Sequence, residues 1–211
     1  MKAIFLDKDG ALVDNLPQDA ERRAEWTTKG RLEPRRIRLS SGAGPALRLL
    51  ARLDYRFFVV CNQACIAQGR LPEAAMHGVG DRLTDLLFRE NLSLDGFYYC
   101  PHDPLGSVAP YAVECHCRKP LPGLLLKASF EHGIDLRASW MIGNVLHDVE
   151  AGNRAGCRTV LLDNGVETEW RLGPRRIPTR MAPDLYAAAV LIAGHQQARD
   201  KDNKNDDEHD N

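Results

Sequence analysis

The chain has 211 residues, 44% of them hydrophobic, which is enough for one substantial buried core. Its 28 lysines and arginines nearly balance its 29 aspartates and glutamates, so the composition argues against a nucleic-acid or anionic-membrane partner. The apolar run within Met1–Leu6 is short, and no stretch of about 18 uncharged apolar residues occurs elsewhere, so neither a signal peptide nor a membrane span is expected. These features predict a cytoplasmic protein.

Five short apolar or β-branched segments predict strands that are buried on both faces, because they lack the polar alternation of a one-sided sheet. These are Ala3–Leu6, Phe57–Val60, Gly96–Tyr99, Trp140–Ile142 and Thr159–Leu162. Amphipathic segments between them predict helices at Ala43–Leu53, Pro72–Asn91, Pro122–His132 and His147–Ala155. This alternation predicts a Rossmann-like three-layer α/β sandwich with a mostly parallel five-stranded sheet and only a minimal cap.

Two segments lie outside this alternation. Residues 16–38 carry seven basic residues against four acids and contain proline and glycine, so we predict a long loop. It is either a solvated charged loop or one that recruits an anionic substrate. Residues 196–211 are almost all polar or charged, which predicts a disordered tail after a single folded domain at 1–195.

The first predicted strand ends directly at two carboxylates, Asp7 and Asp9, which are followed by Gly10. Along an extended backbone the two side chains point the same way, and the glycine permits a tight turn close to a ligand. Two such carboxylates suit Mg²⁺, and they also suit covalent phosphoryl transfer with one acid as nucleophile and the other as proton donor. A solvated turn is the alternative interpretation, because aspartate and glycine are common in turns.

Polar residues also follow later strands of the predicted sheet. They are Cys61, Asn62 and Gln63 after the second strand, Arg118 and Lys119 after Cys117, and Asn144 and Asp148 after the fourth strand. Because ligands gather at the carboxyl ends of parallel strands, we expect these groups to meet at one edge of the sheet. The two cations could neutralise phosphate oxygens there, and arginine also offers a planar fork of donors.

A second cluster consists of metal-ligand residue types within a short stretch of the chain. The four residues are Cys100, His102, Cys115 and Cys117. Three thiolates and an imidazole complete a tetrahedral structural zinc site and leave no position open for water. Such a metal would staple the loop 100–117; incidental free thiols are the alternative. Cys157 is interpreted as a small core residue.

The order of these motifs resembles the haloacid dehalogenase superfamily, in particular its histidinol-phosphatase and heptose-bisphosphate-phosphatase branch. The motifs are Asp-x-Asp-Gly, x-Asn-Gln, Cys-Arg-Lys-Pro and Gly-Asn-x-x-x-Asp, and the resemblance covers roughly residues 1–165. The segments Asp95–His102 and Cys115–Pro120 are most similar to the heptose-bisphosphate phosphatases.

The resemblance implies Mg²⁺-dependent hydrolysis of a phosphorylated sugar through an aspartyl-phosphate, by a monomer that feeds surface-polysaccharide precursor synthesis. It implies that Asp7 is the nucleophile, Asp9 the general acid and base, and Lys119 the cation that stabilises the phosphoryl group. The remaining implied roles are Cys61 at the phosphate, Asn15, Asn62, Gln63 and Arg118 at the substrate, and Asp7, Asp9 and Asn144 at Mg²⁺.

Several residues depart from the family pattern and leave a rival hypothesis open. Asn144 stands where a metal-binding aspartate is usual, Cys61 where a threonine or serine is usual, and Ala11 where threonine is usual. Ala64 and Cys65 replace serine and glycine. The rival is therefore a catalytically impaired homologue that binds a sugar phosphate or a protein partner without hydrolysing it.

The substrate also has an alternative within the family. Histidinol phosphate is the second candidate, but the twelve residues at 103–114, between the zinc pairs, are typical of the sugar branch. A DNA 3′-phosphatase is disfavoured because no basic stripe with interleaved aromatic residues is visible.

Overall fold

The structure is a computed structural model that describes the backbone of residues 1–14, 27–28, 31–32 and 34–209, with side chains described for residues 1–14 and 34–199. Asn15 and most of the predicted loop 16–38 lie outside the described residues, so their predicted roles at the substrate stay predictions.

The centre of the molecule is a six-stranded sheet in which every strand pairing is parallel. Its strands are β1 (Lys2–Leu6), β4 (Tyr55–Asn62), β5 (Gly96–Cys100), β6 (Trp140–Gly143), β7 (Arg158–Leu162) and β8 (Arg180–Ala182). They lie in the order β5-β4-β1-β6-β7-β8. Two further short strands, β2 (Thr27–Thr28) and β3 (Arg31–Leu32), form a separate antiparallel pair.

The predicted sheet is confirmed as parallel α/β, but the prediction of five strands was wrong by one. The sixth strand, β8, has three residues, of which only Ala182 is buried. A segment that short carries no readable hydrophobic period, and it becomes a strand because it pairs with β7 at the edge of the sheet.

Helices cover both faces of the sheet. They are α1 (Ala43–Ala51), α2 (Ala64–Ala67), α3 (Ala75–Arg89), α4 (Gly123–His132), α5 (Leu146–Ala155) and α6 (Leu185–His209), with short 3₁₀ turns at Pro34–Arg36 and Leu136–Ala138. The four predicted helices correspond to α1, α3, α4 and α5, whereas α2 and α6 were not predicted. Among the helices within the described ranges, none has the length and apolar character needed to cross a membrane.

The core is split by the sheet into two apolar layers. On β1, Ile4 and Leu6 face one layer, which includes buried residues of α1, α3 and α6. Ala3 and Phe5 face the other, which includes buried residues of α4. All four side chains are fully buried, which explains why the strand sequence is continuously apolar.

The segment predicted as a disordered tail, 196–211, overlaps α6, which extends to His209. The first part of α6 buries Leu185, Ala188, Ala189 and Ile192, which lie on one face of a helix. Packing of that face supports the costly first turns, and each further residue then adds a backbone hydrogen bond. Polar residues can therefore prolong a helix that they would not start.

The topology places one end of β1 in a special position. β4 and β6 flank β1, and the chain crosses to opposite sides of β1 to form them. The carboxyl ends of these three strands meet at a single crevice, the usual ligand-binding position in an open α/β sheet.

Candidate active site

Asp7 leaves β1 at this crevice, and the turn after it is held by backbone hydrogen bonds. The N–H of Asp7 donates to the carbonyl of Ile142 at 2.9 Å, so the residue continues the pairing with β6. Gly10 has a φ of 80°, which glycine adopts without strain, and its N–H donates to Val13 at 2.8 Å. The side chain of Asn164 donates to the Gly10 carbonyl at 2.7 Å. The turn is therefore held by its own backbone hydrogen bond and by a side chain from the segment that follows β7.

Lys119 lies at the centre of the crevice and contacts two carboxylates. Its Nζ is 2.5 Å from Oδ1 of Asp7 and 2.6 Å from Oδ1 of Asp148, and it also donates to the Val60 carbonyl at 2.9 Å. Burial would lower the pKa of Lys119, but the Asp148 and Asp7 carboxylates outweigh it, and the pKa is raised. The ammonium therefore stays charged at neutral pH.

Asn62 holds the backbone of Lys119 from the end of β4. Its Oδ1 accepts the N–H of Lys119 at 3.0 Å, and its Nδ2 donates to the Lys119 carbonyl at 3.0 Å. Both amide atoms are engaged by protein backbone. The structure thus places this predicted substrate-binding residue beside Lys119, where it fixes the loop that carries the cation.

Asp148 and Asn144 come from the start of α5. Oδ2 of Asp148 accepts the N–H groups of Asn144 at 3.1 Å and Val145 at 3.2 Å, so the carboxylate caps the first turn. A Cβ on Gly143 would lie 2.2 Å from that oxygen, so only glycine allows the approach. Asn144 is 2% exposed, and its Nδ2 has no hydrogen-bond partner among the described residues. A buried N–H donor without a partner is available to an acceptor oxygen of a ligand.

Burial is the main electrostatic influence on the candidate nucleophile. Burial raises the pKa of Asp7 to about 7, against the lowering effect of the Lys119 ammonium and with further raising by the Asp148 and Asp9 carboxylates. The carboxylates of Asp7, Asp9 and Asp148 are contacted by two ammonium groups, those of Lys119 and Lys8, so the contacts leave one negative charge that a divalent cation could offset. The side-chain oxygens of Asp7, Asp9 and Asn144 are of the type that Mg²⁺ prefers.

Cys61 and Gln63 lie at the end of β4, next to this cluster of charges. Cys61 is 1% exposed, and burial raises the pKa of its thiol to about 12, so it is neutral at physiological pH. Nε2 of Gln63 lies 3.6 Å from the Cys61 sulfur, and Oε1 lies 3.5 Å from the sulfur of Cys65. A thiol is a weaker hydrogen-bond donor than a hydroxyl.

Lys8 is a site residue to which the sequence interpretation gave no role. It is 5% exposed, and its Nζ lies 2.5 Å from Oδ1 of Asp9. Burial would lower the pKa of Lys8, but the Asp9 carboxylate and other nearby groups outweigh it, and the pKa is raised. Strict strand alternation points Lys8 away from Asp7 and Asp9, so only the folded turn reveals the contact.

Arg118 borders an open cavity above Lys119. Its Nη1 donates to the His102 carbonyl at 3.0 Å, and its Nη2 lies 3.9 Å from Oδ2 of Asp103. The cavity has a volume of about 370 Å³ and is also lined by Glu114 and His147. His147 was not predicted as a site residue, although its position at a helix start after Asn144 could have indicated it.

The predicted metal-ligand cluster is assembled at the end of β5. Its four ligand atoms, from Cys100, His102, Cys115 and Cys117, all lie within 4.8 Å of one another. The Cys100 and Cys117 sulfurs are 3.1 Å apart, and Nδ1 of His102 is 3.3 Å from the Cys117 sulfur. The hydrogen-bond contact between the two thiols lowers the pKa of Cys117 to about 5 and raises that of Cys100. Three sulfurs and one nitrogen at these separations could hold a metal ion and fit tetrahedral zinc.

Comparison with known proteins places this geometry in a family. A family model described as HAD-hydrolase-like matches residues 116–188. The D-glycero-β-D-manno-heptose-1,7-bisphosphate 7-phosphatase of Escherichia coli K12 is 35% identical over 160 residues, which cover 76% of this chain and 78% of that protein. The D-glycero-D-manno-heptose-1,7-bisphosphate 7-phosphatase of Chlorobaculum tepidum is 32% identical over 208 residues, 94% of this chain and 98% of that protein.

This chain belongs to the HAD-like hydrolases. The family predicted from the sequence motifs is therefore confirmed, including its heptose-bisphosphate-phosphatase branch. The HAD-like fold also agrees with the crystal structure of a D,D-heptose 1,7-bisphosphate phosphatase from B. bronchiseptica complexed with magnesium and phosphate. That structure has a TM-score of 0.69 and 25% identity, covering 92% of this chain and 99% of that one.

Proposed function

We propose that the chain is a cytoplasmic, monomeric, Mg²⁺-dependent phosphatase that removes the 7-phosphate of D-glycero-D-manno-heptose 1,7-bisphosphate in surface-polysaccharide precursor synthesis. The observation that carries the proposal is the buried contact of Asp7 Oδ1 with Lys119 Nζ at 2.5 Å, at the carboxyl end of β1. A carboxylate and an ammonium in this position pair a nucleophile with a charge that neutralises phosphoryl oxygens. Residues 1–195 form the catalytic domain in this proposal.

In the first chemical step, an oxygen of Asp7 attacks phosphorus and the bond from phosphorus to the sugar oxygen breaks. Asp9 transfers its proton to that leaving oxygen, and the product is a heptose monophosphate with an aspartyl-phosphate on Asp7. In the second step Asp9 takes a proton from water, whose oxygen attacks phosphorus and releases inorganic phosphate. Lys119 offsets the negative charge of the transferring group in both steps.

The proposal includes a Mg²⁺ site at Asp7, Asp9 and Asn144. When bound, the cation reduces the repulsion between the anionic phosphate and the carboxylates. Two observations support this site: the carboxylates of Asp7, Asp9 and Asp148 lie against only two ammonium groups, Lys119 and Lys8, among the contacts given for these carboxylates, and the B. bronchiseptica phosphatase was crystallised with magnesium and phosphate. Asp148 supports the site by capping the turn that carries Asn144.

We further assign zinc to the cluster of Cys100, His102, Cys115 and Cys117 as a structural ion. The cluster lies between β5 and Lys119 in the chain, so a bound ion would fix the loop that delivers this cation to Asp7. Arg118 and the cavity above Lys119 are assigned to the substrate, together with Gln63 and Asn15. Cys61 is assigned to the phosphate.

Release of inorganic phosphate from D-glycero-D-manno-heptose 1,7-bisphosphate, measured with and without Mg²⁺, tests the proposal directly. We expect Mg²⁺-dependent release that Asp7→Asn abolishes, and much slower release from histidinol phosphate. Lack of phosphate release from the zinc-loaded protein at millimolar Mg²⁺ would contradict it, and equal rates on both substrates would contradict the sugar assignment.

A second candidate function is favoured by Asn144 and Cys61 themselves. The buried amide and the weak thiol donor remove a charge and a hydrogen-bond donor from a site that uses both, and each lost donor to a developing anion costs about 10²–10³ in rate. A binding protein for sugar phosphates would be the result. This second function is the better description if the protein binds the sugar phosphate without hydrolysing its ester bond, and if Asn144→Asp combined with Cys61→Thr restores turnover.

A further inference from the structure

Lys8 is a buried cation that the proposed reaction does not use. Its side chain is 7% exposed, although lysine is almost never fully buried in proteins unless it is paired. Removing an ammonium from water is unfavourable, and a nearby carboxylate has to offset that desolvation cost. The partner is Asp9, with Nζ 2.5 Å from Oδ1. An exposed lysine would avoid the cost, so the buried position needs an explanation in the site.

The backbone around this pair is already fixed. The Lys8 carbonyl accepts the N–H of Val13 at 3.0 Å, and Asp9 forms a β-bridge with Val13. The side chain of Asn164 holds the Gly10 carbonyl at 2.7 Å. The freedom that remains at Asp9 is rotation of its own side chain, which is 32% exposed at the mouth of the crevice. The Lys8 ammonium contacts that carboxylate, with Nζ 2.5 Å from Oδ1.

We propose that Lys8 is a positioning residue for Asp9. It holds the carboxyl group of Asp9 on the side of Asp7 where the leaving oxygen of the substrate departs. The inference rests on the proposed function, in which Asp9 gives its proton to the leaving sugar oxygen as the phosphorus–oxygen bond breaks and the bond to Asp7 forms. A proton donor displaced by about 1 Å can lose about 10²-fold in rate, so a tether of this kind matters for catalysis.

The role of Lys8 can be separated from a structural one by the leaving group of the substrate. A sugar alkoxide is a poor leaving group and needs a proton from Asp9, whereas 4-nitrophenolate leaves as a stable anion without one. Loss of Lys8 should therefore slow the first step for the sugar phosphate and spare it for 4-nitrophenyl phosphate. The parameter kcat/KM reports this step, because it excludes the later hydrolysis of the aspartyl-phosphate.

The experiment compares kcat/KM of the wild-type enzyme, Lys8→Met and Lys8→Arg on the heptose bisphosphate and on 4-nitrophenyl phosphate. We expect Lys8→Met to lose about 10- to 100-fold on the sugar substrate and less than about threefold on the aryl ester, with Lys8→Arg recovering most of the loss. Asp9→Asn should show the same dependence on leaving group, and adding Lys8→Met to it should cause no further loss. Arg56→Met, which removes a remote contact to Asp95, is the matched control and should behave as wild type.

Equal losses of Lys8→Met on the two esters, or an additive loss in the double variant, would show that Lys8 is only structural and overturn the inference. Unchanged rates on both esters would overturn it as well. If circular dichroism shows that Lys8→Met is not folded, Lys8→Gln provides the same comparison. A wild-type enzyme that hydrolyses neither ester would refute the proposed function itself. That result differs from the outcomes above, which concern the Lys8 variants of an active enzyme.

Discussion

At the scale of single residues, Asn144 is the proposed amide ligand of Mg²⁺. It is 2% exposed, and its neutral amide gives the proposed site one negative charge fewer than an aspartate would. We expect Asn144→Asp to tighten Mg²⁺ binding by about tenfold, because the charge of the ligand set tunes the affinity of carboxylate sites for divalent cations. Titration calorimetry with Mg²⁺ measures this directly.

Asn144→Ala is the matched control for that change, since it removes the carbonyl oxygen and adds no charge. It should weaken Mg²⁺ binding relative to the native chain. If the aspartate variant binds Mg²⁺ no more tightly than the native protein, residue 144 does not contact the cation.

Cys61, the residue proposed to contact the phosphate, tests the contribution of a hydrogen-bond donor. Burial holds the pKa of its thiol at about 12, so it presents a neutral and weak donor. Cys61→Thr replaces it with a hydroxyl, and we expect kcat to rise at least about tenfold because one good donor to a developing anion is worth about 10²–10³. Steady-state phosphate release checks this, with Cys61→Ala expected to fall below the native rate.

At the scale of elements, α5 links the site to the rest of the fold. Its first turn carries Asp148, and the carboxylate of Glu167 accepts the N–H of Leu146 at 2.7 Å. Further along, Glu150 accepts from Arg154 at 2.6 Å and from Arg176 at 2.7 Å. The last contact ties the segment between β7 and β8 to α5. The helix is thereby fixed at both its start and its middle.

The Glu150 contacts predict how stability depends on pH. Burial would raise the pKa of Glu150, but Arg176 and Arg154 outweigh it and lower the pKa below its ordinary value of 4.5. The stabilisation is therefore present above that ordinary value and is lost as the pH falls through the lower folded-state pKa. We expect Glu150→Gln to reduce the free energy of unfolding by about 1–3 kcal/mol at pH 7.

Urea unfolding of Glu150→Gln and the native chain at several pH values checks this. The difference should shrink as the pH falls below the ordinary value of 4.5 and through the lower folded-state pKa, where the native carboxylate becomes protonated as well. Glu169→Gln is the control, because the Glu169–Arg171 pair is exposed and 3.6 Å apart and should have no measurable effect. A difference that stays constant with pH would mean that packing, and not charge, accounts for the effect.

At the scale of the whole molecule, the cysteine–histidine cluster joins the end of β5 to the segment that carries Lys119. Binding of structural zinc contributes folding free energy, so we expect Cys117→Ser to lose the metal and to lower Tm by about 5 °C or more. Turnover should fall with it, because Lys119 is two residues from Cys117. Elemental analysis and calorimetry measure the metal content and Tm.

Cys157→Ser is the matched control for the zinc prediction. Cys157 is also buried, but it lies outside the cluster, against the α4 face of the sheet. Its variant should keep one zinc per chain. A full zinc content in Cys117→Ser would contradict the assignment of that residue as a ligand.

Much of the fold could be predicted because burial leaves a local record in the sequence. The continuous apolar residues of β1 and the acids that end it reflect a strand buried on both faces, and this pattern needs no knowledge of distant contacts. The spacing of Leu185, Ala188, Ala189 and Ile192 carried the same kind of information for α6 and was missed. The zinc-type cluster was predictable because its ligands lie close together in the chain.

The amino-acid sequence by itself determined the order of five strands of the sheet and four of the helices, the family, and the ends of strands at which polar groups collect. Only the tertiary structure decided that β8 pairs with β7, that Asn62 holds the backbone of Lys119, and that Lys8 turns inward to Asp9. The physical reason is that the local pattern of apolar and polar residues indicates which side chains of a segment are buried. Which charges and amides meet depends on how distant strands are placed beside one another.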